Sequence, residues 1–335
     1  MSSSVHSDFG ALVISLDFEI HWGVRDLTRV DGPYGANLEG VWEVVPRLLE
    51  IFQEFDVAAT WATVGLLFAD SREQAHAHTP ALKPSYRNEA LDPYRELMGQ
   101  SEDDDPFHYA PSLIEKVRHT PRQEIGTHTF SHYYCLEPGQ DGASFEQDLN
   151  SAISIAREKD LQLTSLVFPR NQHNPDYDQI LCDAGINCYR GNQRNWIYRP
   201  GSTAESNRPV KRLGRLADHY VKVAGYHTTR WDEVLQPDRT LCNVPASFFL
   251  RPFSPRLKNL DPLRLRRIEQ TMRHAATRRE IVHIWWHPHN FGIFIDENLA
   301  FLRKVLSAYR QLHQTHGMRS LSMGEVADSV LKAVP

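Results

Sequence analysis

The chain has 335 residues, with 37 Lys and Arg against 42 Asp and Glu for a formal net charge of −5, and it is 41% hydrophobic and 24% charged. Those proportions belong to a globular protein long enough to bury a substantial core, as one large domain or two. No apolar run approaches the ~20 residues of a bilayer span, and the acidic balance gives no footing for general nucleic-acid binding.

The N-terminal Met1–Asp8 has neither the basic nor the apolar region of a secretion signal, which makes the cytoplasm the expected compartment. Ala11 to Asp17 is a short, nearly continuous apolar run, the pattern of a strand buried on both faces, and it ends in acid. If the backbone stays extended through Phe18, Asp17 and Glu19 project from the same side. Gly23, just beyond, lets the chain turn away. From Val41 to Phe55 apolar residues recur at intervals of three and four, which predicts an amphipathic helix, and Val57 to Val64 is a β-branched and aromatic second strand. Between about 70 and 122 Pro80, Pro84, Pro93, Pro106 and Pro111 and the run Glu102–Asp105 break the pattern. An insertion with short helices is expected there, the acidic run being a solvated loop.

Gln123 to Thr127 is strand-like and leads into His128 and His132, four residues apart on what the spacing suggests is one turn of backbone, so that both imidazoles reach one cation. A helix over Phe145–Lys159, a strand at Ser165–Phe168 ending in Pro169-Arg170-Asn171-Gln172, a helix over Tyr177–Ala184 closed by Gly185, and a strand at Ile186–Arg190 follow. Residues 192–242 predict loops and one or two short helices. The stretch 251–279 carries nine Lys and Arg among spaced leucines, as in a helix with a basic outer face. In Ile281–His289 strand alternation sets His283, Trp285 and His287 on one face, with His289 close behind. A helix over Asn298–Gln314, a short strand at Arg319–Ser322 and a helix over Gly324–Leu331 complete the chain. This alternation predicts a mostly parallel α/β architecture, either barrel or doubly wound sheet, whose chemistry sits at the strand C-termini. Cys135, Cys182, Cys188 and Cys242 show no CxxC spacing and are expected as free thiols, so any metal is held by nitrogen and oxygen.

Three strand ends thus bear acid or imidazole: Asp17 with Glu19, His128 with His132, and His287 with His289. Two histidines and one carboxylate with an open position suit Zn²⁺ or a related divalent ion, leaving a spare carboxylate as base and a further histidine as acid.

The stretch Glu124-Ile125-Gly126-Thr127-His128-Thr129-Phe130-Ser131-His132 resembles the second motif of the polysaccharide deacetylases, carbohydrate esterase family 4, with its His-Ser/Thr-x-x-His form. The resemblance extends to Ser15–Glu19, Val57–Ala62, Phe168-Pro169-Arg170 and Ile281–His287, covering most of residues 11–330. It implies one domain over 1–335, a distorted, incomplete (β/α)7-type barrel with the insertion at about 70–122. It also implies a catalytic divalent metal (Zn, with Co, Ni, Mn or Fe as alternatives) and removal of acetyl groups from sugars. By motif, His128 and His132 become metal ligands, His287 the general acid and Arg170 the residue that orients the base. The family's paired aspartates are replaced by Asp17-Phe18-Glu19. Asp17 is assigned as base and Glu19 as ligand, with the reverse left open. The expected substrate is an acetamido sugar on a nucleotide, lipid carrier or other intracellular glycan intermediate. Alternatives are a metal-independent relative cleaving another C–N bond, such as a cyclic amide, or a non-catalytic sugar-binding barrel. The oligomeric state is not set by the sequence.

Overall fold

The computed structural model describes residues 7–193, 225–237 and 241–333, with Asn195, Tyr198, Gly214, Asp218 and Tyr220 between them. Most of the expectation for 192–242 therefore lies outside the described residues. The strands are β1 Ala11–Phe18, β2 Ala59–Thr63, β3 Gln123–Thr127, β4 Ser165–Val167, β5 Cys188–Arg190, β6 Cys242–Asn243, β7 Phe248–Phe249, β8 Ile281–Trp286 and β9 Arg319–Leu321. The helices are α1 Gly35–Glu39, α2 Val41–Phe55, α3 Arg72–Ala77, α4 Pro111–His119, α5 Gly142–Glu158, α6 Asp178–Asp183, α7 Asp261–Arg278, α8 Ile295–His316 and α9 Met323–Leu331.

Strand order is β6-β5-β4-β3-β2-β1-β8-β7, with every named pairing parallel and β9 set against the first half of β1. The sheet curls into an incomplete α/β barrel. One extended run carries both β6 and β7 and reaches across its two edges. Cys242, Val244 and Ala246 donate backbone N–H groups to Asn187, Tyr189 and Gly191 beside β5, whereas Ser247 and Leu250 donate to His283 and Trp285 of β8. Counting that run once and leaving β9 aside, seven strand positions are present among the described residues, as the resemblance implies.

All eight residues of β1 are buried, and their alternation divides the core. Leu12, Ile14, Leu16 and Phe18 join the large cluster between sheet and helices, with Val44, Leu48 and Phe52 of α2 and Leu302 and Leu306 of α8. Ala11 and Val13 point the other way, into a smaller cluster with Val167, Cys188, Val244 and Ile281, where Met323, Val326 and Val330 of α9 also pack. On that inner face the next two residues are Ser15 and Asp17, so the barrel interior runs from apolar to polar toward the strand C-termini. Glu124 belongs to the apolar end: it accepts from Thr60 Oγ1 and from the Gly324 N–H at the start of α9.

Two expectations are corrected. In the run Glu102–Asp105, Asp103 and Asp104 are exposed as expected of a solvated loop, but Asp105 is buried against His108. In α7 the basic residues do not all face outward. Arg264 and Arg267 are buried, the first over the Phe301 ring and bonded to the Arg251 carbonyl, the second bonded to Thr271. Their guanidinium groups satisfy backbone and ring acceptors that an apolar residue could not. All four cysteines are free thiols, and no helix among the described residues is long and apolar enough to cross a membrane.

Candidate active site

The C-terminal ends of β1, β3, β5 and β8 deliver their polar residues to one place. Glu19 leaves β1 one residue after Phe18, and Ile20 adopts φ 44°, a left-handed turn that a β-branched residue takes only under constraint from its surroundings. Glu19 Oε2 lies 3.2 Å from His128 Nε2 and 3.0 Å from His132 Nε2, and its Oε1 lies 3.5 Å from His287 Nε2 and 3.9 Å from His289 Nε2. One carboxylate therefore faces two imidazole pairs. Gly23 makes room for it: a Cβ there would stand 1.9 Å from the Glu19 carboxyl carbon, so its role is close approach, beyond the turn the sequence suggests.

Asp17, on the inner face of β1, is held by both arms of Arg190 from β5, with Nη1 donating to Oδ1 at 2.6 Å and Nη2 to Oδ2 at 2.7 Å. The arginine itself is fixed. Its Nη1 donates to Ser15 Oγ at 2.9 Å and its Nη2 to Asn171 Oδ1 at 3.0 Å, and the guanidinium lies 4.1 Å over the Trp285 ring. Ser15 in turn contacts His283 Nε2 at 2.8 Å, and His283 Nδ1 contacts the Val244 carbonyl at 3.0 Å. A carbonyl only accepts, so Nδ1 carries the proton and Ser15 donates to Nε2. Burial keeps that imidazole neutral, pushing it down to about 3. Burial would raise the Asp17 carboxyl, but Arg190 first, then His128 and His287, hold it below its ordinary value. Glu19 is likewise buried, and the imidazoles around it, led by His287, hold it well below the usual carboxylate range.

The two histidines after β3 do not share a helical turn, as their spacing suggests. Thr129 and His132 both take positive φ, 63° and 58°, and the intervening loop is pinned from both sides. His128 N–H bonds the Thr63 carbonyl, Gly65 and Leu66 donate to Thr129 and Phe130, and Phe130 N–H donates to Asp148 Oδ1 of α5 at 2.7 Å. Asp148 also accepts from the Ser131 hydroxyl. Its complete burial pushes its carboxyl up to about 6 from 3.8. The folded state thus binds more protons than the unfolded state between those values, and this group's contribution to stability declines as pH rises through about 6. Asp148→Asn mimics the protonated acid. Relative to the native chain it should gain about 2–3 kcal/mol between pH 4 and pH 7, read from urea unfolding at both pH values; a pH-independent difference contradicts the assignment.

His287 closes β8 and is the one imidazole of the four with appreciable side-chain exposure, 22% against 1–2% for His128, His132 and His289. Its Nδ1 contacts Asn290 Oδ1 at 2.9 Å, and Asn290 Nδ2 donates to the Tyr34 hydroxyl, so Nδ1 carries a proton and Nε2 turns to the carboxylates. That Nε2 lies 3.7 Å from Asp17 Oδ2 as well. His289, stacked on His287 with ring centroids 5.0 Å apart, is pushed down to about 3 by burial.

Five of the six residues singled out in the sequence, Asp17, Glu19, His128, His132 and His287, therefore meet. The sixth takes a different place. Arg170 bonds Asp26 at 2.5 Å and lies 4.5 Å over the Tyr134 ring, while the guanidinium on Asp17 is that of Arg190. The reason is geometric: Arg170 and Asn171 turn through φ 53° and 54° after β4, which sends Asn171 and not Arg170 toward Arg190. The signal for Arg190 was present in its position, a charge closing an apolar strand in the manner of Asp17. His283 was marked by sharing a strand face with His287, whereas Ser15 and Asn290 carried no comparable mark.

His128, His132 and Glu19 can hold a divalent cation. His128 Nδ1 contacts the Val167 carbonyl at 2.8 Å and must carry its proton there, which leaves the Nε2 lone pair aimed at an anionic oxygen. Two lone pairs facing each other need a cation or a second proton between them. Tetrahedral Zn²⁺ with N and O ligands sets neighbouring ligand atoms about 3.3 Å apart, close to the spacings here. Glu19 with His287 and His289 forms an alternative group around the same carboxylate.

No protein-family model and no curated protein matches the chain. Solved structures do. A putative polysaccharide deacetylase from Mycobacterium smegmatis superposes with a TM-score of 0.60 at 15% identity, over 97% of this chain and 91% of that one. The fold is that of a polysaccharide deacetylase. A probable polysaccharide deacetylase from Pseudomonas aeruginosa PAO1 gives 0.55 at 12% identity, over 98% and 93%. A 4-alpha-glucanotransferase from Thermococcus litoralis gives 0.51 at 11% identity over 96% of this chain and 40% of its own. Since a transferase of glucan also shares the deacetylase fold, the chemistry has to be argued from the side chains.

Proposed function

We propose that the protein is a metal-dependent hydrolase that removes the acetyl group from an N-acetylated sugar or glycan intermediate. The observation that carries this is the convergence on Glu19 of His128 and His132 beside a separate ionised carboxylate, Asp17, and a partly exposed imidazole, His287. A divalent ion held by Glu19, His128 and His132 would supply Lewis acidity toward water and toward the acetyl carbonyl. Asp17, kept ionised and fixed in orientation by Arg190, accepts the proton of the attacking water. Each of its oxygens gives one lone pair to the arginine and retains another. His287, with Nδ1 tied to Asn290 and Nε2 facing the pocket, delivers a proton to the departing amine. Trp285 and Phe249 flank His287 with ring centroids 5.5 Å and 5.9 Å away, offering apolar faces for a sugar ring.

His287→Ala should lower kcat on an acetamido sugar by ~10²–10⁴-fold, leave metal content unchanged, and cost an activated ester with a good leaving group much less. Equal losses on both substrates would remove His287 from the acid role. The direct test of the function is acetate release from a panel of N-acetylated sugars with and without a chelator. Chelator-insensitive opening of a cyclic amide would instead support the metal-independent C–N hydrolase reading.

A further inference from the structure

Outside this site, two more buried imidazoles face each other. His21, in the loop that carries Glu19, places Nδ1 at 3.0 Å from Nε2 of His108, which comes from the insertion between β2 and α4. Both residues are 4% exposed. The outer nitrogen of each ring is assigned by its partner. His21 Nε2 contacts the Thr28 carbonyl at 3.1 Å, which can only accept, so the proton sits on Nε2. His108 Nδ1 contacts both oxygens of Asp105, at 2.9 Å and 2.8 Å. Asp105 also receives backbone N–H groups from Gly99 and Phe107, at 2.7 Å and 3.3 Å, so all its bonds are accepted ones and His108 Nδ1 is the donor. What remains is two nitrogen lone pairs pointed at each other in a dry environment, which need a shared proton or a cation. A carboxylate oxygen of half-buried Glu96 completes the group, the three donor atoms lying within 4.8 Å of one another. The Glu96 carboxylate makes no hydrogen bond or ion pair of its own among the described residues, its backbone N–H alone donating to the Pro93 carbonyl.

We infer that His21 Nδ1, His108 Nε2 and the Glu96 carboxylate form a second divalent-cation site, distinct from the one on Glu19 and structural in role. Two neutral imidazoles and a carboxylate are a zinc-type donor set. The second carboxylate, Asp105 behind His108, completes charge neutrality for a dication and fixes the ring, as carboxylates behind metal-bound histidines do. Glu96 also lines a cavity of about 310 Å³ with Trp22, Pro93, Tyr94 and Met98, so its side of the group is not closed off. Binding replaces the proton between the two imidazoles and draws Glu96 inward. It ties the insertion to the loop bearing Glu19, a junction already made by the His21 N–H on the Phe107 carbonyl and the Trp22 indole on the His108 carbonyl.

The test is ion stoichiometry after loading with Zn²⁺ and desalting, with unfolding temperature followed in parallel. The native chain should hold two equivalents. His132→Ala, which disables only the first site, should hold one and still be stabilised by Zn²⁺. Adding His108→Ala, or the milder Glu96→Gln if the former does not fold, should remove that remaining ion and its stabilisation. Asp105→Asn should weaken it by about 10–100-fold. A single equivalent in the native chain that His132→Ala abolishes overturns the second site and leaves the first. A single equivalent that survives His132→Ala and disappears with Glu96→Gln does the reverse. Retention of the second ion through both Glu96→Gln and His108→Ala also overturns the assignment.

Discussion

Asp17→Asn should keep the active-site ion and lower acetate release from an acetamido sugar by ~10²–10⁴-fold or more, the ordinary worth of a positioned general base. Glu19→Gln should do something different. Among the described residues its carboxylate is the one that pairs with both His128 and His132, so the amide should weaken ion retention at that site first and activity as a consequence. The assignment follows from the partners. Both Asp17 oxygens are engaged by Arg190 at 2.6 Å and 2.7 Å, which orients the group and leaves it beside the proposed ligands, whereas the ion-pair partners of Glu19 among the described residues are imidazole nitrogens. Metal analysis and acetate release on the two variants separate the roles. Ion loss in Asp17→Asn with ion retention in Glu19→Gln reverses them.

Arg190→Met carries the largest expected cost to stability. Arginine and aspartate are buried together, at 1% and 3% exposure, and removing one partner leaves an uncompensated charge, worth about 3–5 kcal/mol of destabilisation. The double variant Asp17→Asn/Arg190→Met should recover part of that loss, because no charge is then left alone. Denaturant midpoints of the two single variants and the double variant measure the coupling. Activity should respond with a defined sign. Burial raises the Asp17 carboxyl and Arg190 is the leading group that lowers it, so without Arg190 the acid limb of the pH–rate profile moves to higher pH. An unchanged acid limb would show that Asp17 is not the group titrating there.

Much of the barrel could be read from periodicity because each element solves one local problem. The 3.6-residue spacing in Val41–Phe55 and the unbroken apolar run at the start of β1 each have a single efficient packing, and the observed helix has the same bounds. Strand ends bearing Asp17, His128 and His287 were equally legible, since a charged or imidazole side chain closing an apolar strand is costly unless it meets a partner. The partners were not legible. Arg170 follows one short strand and Arg190 closes another, and which one reaches Asp17 depends on the positive-φ turn at Arg170 and Asn171, a feature no side-chain pattern announces. Asp105 reads as one acid in a solvated run until His108 is placed three residues on, and then His21 beyond it, 87 residues away in sequence. Contacts of that separation are set by topology, and composition carries no trace of them. Gly23 is a similar case, its lack of a side chain being needed for the approach of Glu19.

The central claim is that deacetylation depends on an ion bound by Glu19, His128 and His132. The most direct measurement pairs bound-metal content with acetate release from an N-acetylated sugar, for the native chain, His132→Ala and His289→Ala. Loss in His132→Ala of one bound equivalent together with acetate release, while His289→Ala keeps its full complement of ion, is the predicted result. Acetate release that persists in His132→Ala with that equivalent gone, or an ion retained there but lost in His289→Ala, would contradict it.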